Sequence, residues 1–271
     1  MIRKTHPFLF IFLFLGQLLL ISHGTAGPRE DGLQAYRQGH YQEAIRIWQP
    51  LAQAGDVELQ YNLGVMYSEG RGVDKDPGRA LQWFQSAAQA GDSDAQARLG
   101  RMYALGRGVD KDPTQGAKLL QNAARKGNAA AEYNLGVLYA NGLGVKQDAE
   151  LAMRWYYRAA EQGHVGAQYN LAHMHEYGTG IPQDLREAFR WYEKAARAGA
   201  ADAQANLGLM YFNGRGTEKD PVLAYAWLSA AAEQKLNSAE NNKAYVFARL
   251  DRDEKHQAEQ LAAEFIKKHR P

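Results

Sequence analysis

The chain has 271 residues, of which 45% are hydrophobic and 23% charged, with a formal charge of +2 and no cysteine. So small a net charge leaves no electrostatic footprint for nucleic acid, and the lack of a long apolar run beyond the N-terminus excludes a polytopic membrane protein. Without cysteine there is no disulfide, thiol nucleophile, thiolate metal site or cysteine-linked lipid, so stability has to come from packing.

Residues 1–26 read as a targeting segment. Arg3 and Lys4 precede an apolar run from Phe8 to Ser22 interrupted only by Gly16 and Gln17, and Gly24-Thr25-Ala26 supplies the small residues a signal peptidase needs. The run is shorter than the roughly 20 apolar residues of a spanning helix. Cleavage after Ala26 is expected, placing the chain in the periplasm or outside the cell. An uncleaved anchor is the alternative and would be the chain's one tie to a membrane. Loss of Arg3 and Lys4 leaves the remainder formally neutral.

Residues 27–55 predict a helical hairpin. Gly39-His40-Tyr41 marks its turn, and Ala35, Tyr36, Ala44, Ile47, Trp48 and Leu51 form an apolar stripe at helical spacing. Beyond it the chain repeats. Leu63-Gly64-Val65-Met66-Tyr67 returns at Leu99, Leu135, Leu171 and Leu207, a period that specifies a solenoid with units at 56–91, 92–127, 128–163, 164–199 and 200–237. The atypical hairpin and residues 238–271 are the expected caps. In the latter, Ala258, Leu261, Ala262 and Phe265 form one apolar stripe.

Each unit predicts two helices. In the first, Ala95, Leu99 and Met102 share one face, and the recurring Gly64, Gly100, Gly136 and Gly208 (Ala172 in the fourth copy) imply close helix–helix approach. Paired glycines, such as Gly106 and Gly108, turn the chain. They follow a helix and lack a third glycine, which argues against a phosphate loop. Asp76, Asp112, Asp148, Asp184 and Asp220 read as N-caps of the second helix, not as carboxylate chemistry, because proline follows three of them. Trp83, Trp155, Trp191 and Trp227 recur in phase. Gly91, Gly127, Gly163 and Gly199 stop the second helices, and Lys235 in their place suggests that the array changes character there.

The pattern Ala-Gln-x-x-Leu-Gly-x-Met-Tyr through Trp-Tyr-x-x-Ala-Ala-x-x-Gly is similar to the Sel1-like repeat, a longer-loop relative of the tetratricopeptide repeat. Ala167-Gln168 through Ala195-Ala196 follows it closely, departing at Ala172, His175 and Ile181. The resemblance covers residues 56–237 and implies an all-α, right-handed α/α superhelical solenoid. Residues 29–54 resemble a tetratricopeptide half-unit, and the tail after Asp251 resembles the closing helices of bacterial members. Leu119 and Gly116 depart from the usual tryptophan and alanine, so the second unit should pack with smaller groups. The penicillin binding of cysteine-rich members is not implied for a chain without cysteine.

A solenoid offers its concave face, lined by the first helices, to partners. One stripe there carries Glu58, Asn62, Val65 and Glu69, then Asp94, Arg98 and Arg101, then Asn134 and Val137, then Asn170, His173 and Tyr177, and lastly Asn206 and Leu209, with Tyr61 beside it. Asparagines and tyrosines with scattered charge suit a protein or peptide partner. The in-phase asparagines also fit a purely structural role between helices, and both readings stand. His173 and His175 point about 200° apart on a helix and cannot share an ion, so no metal is expected. No cofactor motif is present. No serine of the repeats sits in a Ser-x-x-Lys or Gly-x-Ser-x-Gly context, and His-Glu-x-x-His is absent. A non-catalytic scaffold of the bacterial envelope is therefore favoured over a hydrolase of cell-wall peptide or β-lactam. A glycan-binding assembly scaffold is the third reading.

Overall fold

The computed structural model describes residues 27–268, so the targeting segment at 1–26 lies outside the described residues. Every regular element described is a helix. A hairpin, α1 (Pro28–Arg37) and α2 (Tyr41–Gln53), precedes the pairs α3 (Val57–Glu69) with α4 (Pro77–Gln89), and α5 (Ser93–Leu105) with α6 (Pro113–Arg125). The pairs α7 (Ala129–Asn141) with α8 (Ala149–Glu161), α9 (Val165–Tyr177) with α10 (Leu185–Arg197), and α11 (Ala201–Asn213) with α12 (Pro221–Glu233) follow. The chain closes with α13 (Asn237–Phe247) and α14 (Arg252–Lys268). Each helix from α1 to α12 packs on the next in chain order, and α14 folds back onto α12. The result is an α/α solenoid. No described helix is long and apolar enough to cross a membrane.

The helix ends follow from local chemistry. Asp56, Asp92, Asn128 and His164 each accept a hydrogen bond from the third amide of a first helix, whereas Ala200 leaves α11 without a side-chain cap. All five aspartates at the second helices do the same, as at Asp112, whose Oδ1 accepts from Gln115 N at 2.9 Å. The amide of each also closes the loop onto the preceding helix, Asp148 N to Tyr139 O at 2.9 Å and Asp184 N to His175 O at 2.9 Å. Close approach explains the mid-helix glycines. A Cβ on Gly136 would stand 2.5 Å from the Tyr156 ring, and one on Gly116 would stand 2.6 Å from the Gly100 carbonyl oxygen. The small residues of the second unit thus bring α5 and α6 into backbone contact.

Neighbouring repeats are joined by two devices. The second glycine of each loop lies against the start of the preceding repeat's second helix: a Cβ on Gly144 would meet the Pro113 carbonyl at 2.2 Å. Only glycine fits there, apart from its positive φ. The other device is a buried glutamine. Gln60, Gln96, Gln168 and Gln204 donate Nε2 to Ala52 O, Ala88 O, Ala160 O and Ala196 O at 2.9, 3.0, 3.2 and 3.1 Å. Each adds a second donor to a last-turn carbonyl of the preceding helix that also accepts from the turn glycine, as Ala52 O does from Gly55 N at 3.1 Å. The third copy has Glu132, which has no proton to donate. Arg158 takes over, with Nη2 2.7 Å from Glu132 Oε1 and 3.5 Å from Ala124 O, while Gln162 donates to Glu132 Oε2 at 2.6 Å. A second buried carboxylate, Glu176, is held by Tyr192 Oη at 2.8 Å and by Arg215 of the next loop at 2.9 Å.

The caps close both ends. Gly32 admits the indole of Trp48, which donates to Arg29 O at 3.3 Å. Ile45 and Ala52 are the buried positions of α2 with Ala44 and Trp48, whereas Ile47 and Leu51 are half-buried, because α3 covers the side that Ile45 and Ala52 face. In α14, Ala258 and Ala262 are buried and Phe265 meets Trp227 edge-on at 4.7 Å. The 13-residue helix pairs do end near Lys235, where the 11-residue α13 follows, but the local turn does not change. Lys235 keeps the turn of its glycine counterparts, with φ +65°.

Two outcomes follow. Left-handed backbone costs a non-glycine residue about 1–2 kcal/mol, partly offset by the extra freedom glycine has when unfolded. Lys235→Gly should therefore stabilise by about 0.5–1 kcal/mol and raise the melting temperature by a few degrees, read by thermal circular dichroism. A fall would contradict the strain. Arg158→Ala strands Glu132 and should cost about 2 kcal/mol in chemical denaturation, discounted because Arg158 is half exposed. Adding Glu132→Gln, which restores the donor found in the other repeats, should recover most of that loss.

Candidate binding surface

None of the stripe residues is fully buried. Glu58, Glu69, Asp94, Arg101, His173 and Tyr177 are exposed, and Tyr61, Asn62, Val65, Arg98, Asn134, Val137, Asn170, Asn206 and Leu209 are half-buried. The structure divides them by employment. Glu58 pairs with Arg29 of the N-terminal hairpin and Glu69 with Arg71. Val65 and Val137 pack against core clusters. Asn170 lies close enough to the Tyr156 hydroxyl, and Asn206 to those of Tyr169 and Tyr192, to lower tyrosine pKa values that burial raises, so these asparagines face neighbouring helices. Asn134 donates to Ala130 O at 2.7 Å within its own helix.

Two depressions remain. One, of about 250 Å³, is lined by Tyr61 of α3, Asp94, Ala97, Arg98 and Arg101 of α5, and Ala130 and Asn134 of α7. Its origin is a missing ring. Tyr133 fills the corresponding space one repeat later, stacked on His164 at 4.4 Å and packed on Gly166. Ala97 stands at the tyrosine position and leaves the space over Ala130 open. Ala205 is the other alanine at this position, but there it joins a core with Ala239 and Val246 of α13. Ala97 was not among the expected site residues. Its signal was an alanine in phase with Tyr61, Tyr133 and Tyr169.

The other depression, of about 350 Å³, brings Asn170 and His173 together with Asn141, Gln147, Tyr156 and Thr179. Burial pushes the Tyr156 phenol up to about 12. Tyr177, 60% exposed, lies 4.5 Å from His173, and His173 lies 6.4 Å from Tyr169, which makes a short aromatic ladder along α9. On the loop side, a groove of about 420 Å³ runs past Glu150, Arg154, His175 and Asp184. No serine, threonine or cysteine lines it. The three histidines of the fourth unit serve separately: His164 caps α9, His173 joins the ladder and His175 lines the loop-side groove. No group of three metal-ligating side chains forms among the described residues.

Five consecutive matches to the Sel1 repeat cover residues 57–92, 93–128, 129–164, 165–199 and 201–236. The chain belongs to the Sel1 repeat family. Among solved structures, a Sel1 repeat protein from Oxalobacter formigenes is 34% identical, with 87% of this chain and 98% of that chain covered and a TM-score of 0.76. A protective antigen of uropathogenic Escherichia coli with an SLR fold is 27% identical over 90% of this chain and 69% of that one, with a TM-score of 0.52. An immunity protein from Pseudomonas aeruginosa, 21% identical over 87% of this chain and 82% of that one with a TM-score of 0.51, shares the fold. No curated protein gives a significant match. Sel1 repeat proteins generally mediate protein–protein interactions and are generally non-catalytic.

The His164 cap makes the centre of this Sel1 array sensitive to acid. Its Nδ1 must be unprotonated to accept from Ala167 N at 3.2 Å, and burial holds its pKa below the ordinary imidazole value. The neutral ring is favoured by folding, so its contribution is present above the unfolded value of ~6.5 and lost as pH falls through the lower folded value. Between about pH 7 and 5 the melting temperature should drop less in His164→Asp, which carries the cap found at Asp56 and Asp92, than in the natural protein. Parallel curves would remove this role from His164.

Proposed function

We propose that this Sel1 repeat protein is a non-catalytic scaffold of the bacterial cell envelope, periplasmic or secreted after cleavage at Ala26, which binds a protein or peptide on the first-helix surface. The observation that carries the reading is a division of labour along the period. Residues that recur, such as Leu63, Leu99 and Leu135, are buried, whereas Arg98, Arg101 and His173, which occur once each at their phase, are exposed or half-exposed around depressions. A surface that the fold does not need, continuous over α3, α5 and α7, suits an extended polypeptide. The N-terminal segment supports the export.

A glycan-binding scaffold is the second reading, favoured by the Tyr169–His173–Tyr177 ladder, since sugar rings stack on exposed aromatic faces. In vivo cross-linking of the full chain in its own cells, with mass spectrometry of envelope fractions, separates the two. A specific protein recovered with the wild type, together with a mature N-terminus at Gly27, is the expected result. A chain found in the cytosol with residues 1–26 intact, or turnover of a chromogenic β-lactam by the purified protein, would overturn it. Retention on polysaccharide lost in Tyr177→Ala would favour the glycan reading instead.

A further inference from the structure

We infer that the hollow over Ala97 and Ala130 is a subsite for carboxylate side chains within an internal acidic segment of the partner polypeptide. The inference rests on the scaffold reading and specifies the chemistry of its partner.

The charge around the hollow is not balanced by the fold. Arg98 and Arg101 line it, and Arg107 at the end of the same helix lies close enough to act on Arg101 electrostatically. Burial, followed by the repulsion of Arg98 and Arg107, pushes Arg101 below its ordinary value. None of the three forms an ion pair among the described residues, whereas Arg29, Arg71, Arg79, Arg158, Arg190 and Arg215 all do. The nearest acid in the hollow, Asp94, accepts instead from Asn128 Nδ2 at 2.7 Å.

The phase of the repeat sharpens the point. Arg71, Arg107 and Arg215 occupy one loop position. Arg71 reaches back to the Tyr36 hydroxyl, and Arg215 reaches back to the buried Glu176 of the preceding repeat. The residue in the Glu176 position for Arg107 is Ser68, which offers no charge. Arg98 likewise replaces the asparagine of the other copies, and Arg101 replaces Val65, Val137, His173 and Leu209. Three arginines drawn together beside a single acid, Asp94, cost the folded chain stability, and an anionic ligand would offset that cost.

The shape selects an internal segment over a chain terminus. The hollow is walled by three successive first helices, so a chain crossing them enters beside Tyr61 and leaves beside Asn134. A terminal carboxylate brings one charge to three arginines, whereas an internal segment with successive acids can neutralise more of them along its path.

Fluorescence anisotropy with the mature protein tests this, using a labelled peptide of alternating glutamate and serine, acetylated and amidated at its ends. Its glutamine counterpart, and a glutamine peptide with a free C-terminal carboxylate, are the controls. The glutamate peptide should bind, weaken steeply with salt, and lose about tenfold or more in affinity in Arg98→Glu/Arg101→Glu. Ala97→Tyr, which returns the ring present in other repeats, should also block it. If Ala97→Tyr does not fold, Arg98→Gln/Arg101→Gln, altering only surface side chains, gives the same reading. Equal binding of the glutamate peptide by the arginine variants, no binding by the wild type at low salt, or preference for the free-carboxylate peptide would each overturn the inference. The scaffold reading fails separately, if no envelope protein is cross-linked to the wild type at all.

Discussion

The bond that makes a row of helix pairs into one body runs from a buried glutamine amide to the last turn of the helix before it. An α-helix leaves its final carbonyls short of intrahelical donors, and here the one that faces the next repeat accepts from a turn glycine amide of its own hairpin. A glutamine at a fixed phase adds a donor from the next repeat and ties Gln60, Gln96, Gln168 and Gln204 to their neighbours. At Glu132 the same carbonyl is served through Arg158. The requirement outlives the residue that usually meets it.

Glycine governs the complementary constraint of approach. The backbone of one loop touches the N-terminus of an earlier helix at Gly144, and α5 touches α6 at Gly116. Where contact is that close the side chains are chosen by space, which is why the Gly144 position is glycine in every repeat and Gly116 allows the closer approach in the second. The second repeat takes this furthest. It has no tryptophan at Leu119, no tyrosine at Ala97 and no asparagine at Arg98, so it combines the smallest core with the least neutralised surface. That combination is what the proposed acidic subsite rests on.

Several stripe residues turned out to be structural. Asn170 and Asn206 serve neighbouring tyrosines, and Glu58 and Glu69 are paired within the chain. Sequence phase could place them on the outer side of the first helices but could not tell a hydrogen bond to an adjacent helix from an open group. Arg98 and Arg101 share the same stripe and have no ion-pair partner among the described residues.

Read without coordinates, the chain already determined its period, its helix pairs, their caps at the five aspartates and the turns at paired glycines, because those depend on residues a few positions apart. Repetition then fixed the architecture. The tertiary structure decided which groups face the neighbouring repeat: the glutamine ties, the Glu132–Arg158 substitution, the left-handed Lys235 and the hollow above Ala97. Apart from the local turn at Lys235, each of these joins groups of neighbouring repeats: the glutamine ties cross only eight residues of sequence, and the hollow spans three first helices. Their contacts are set by how far one repeat is rotated and translated onto the next, a quantity that no single repeat contains.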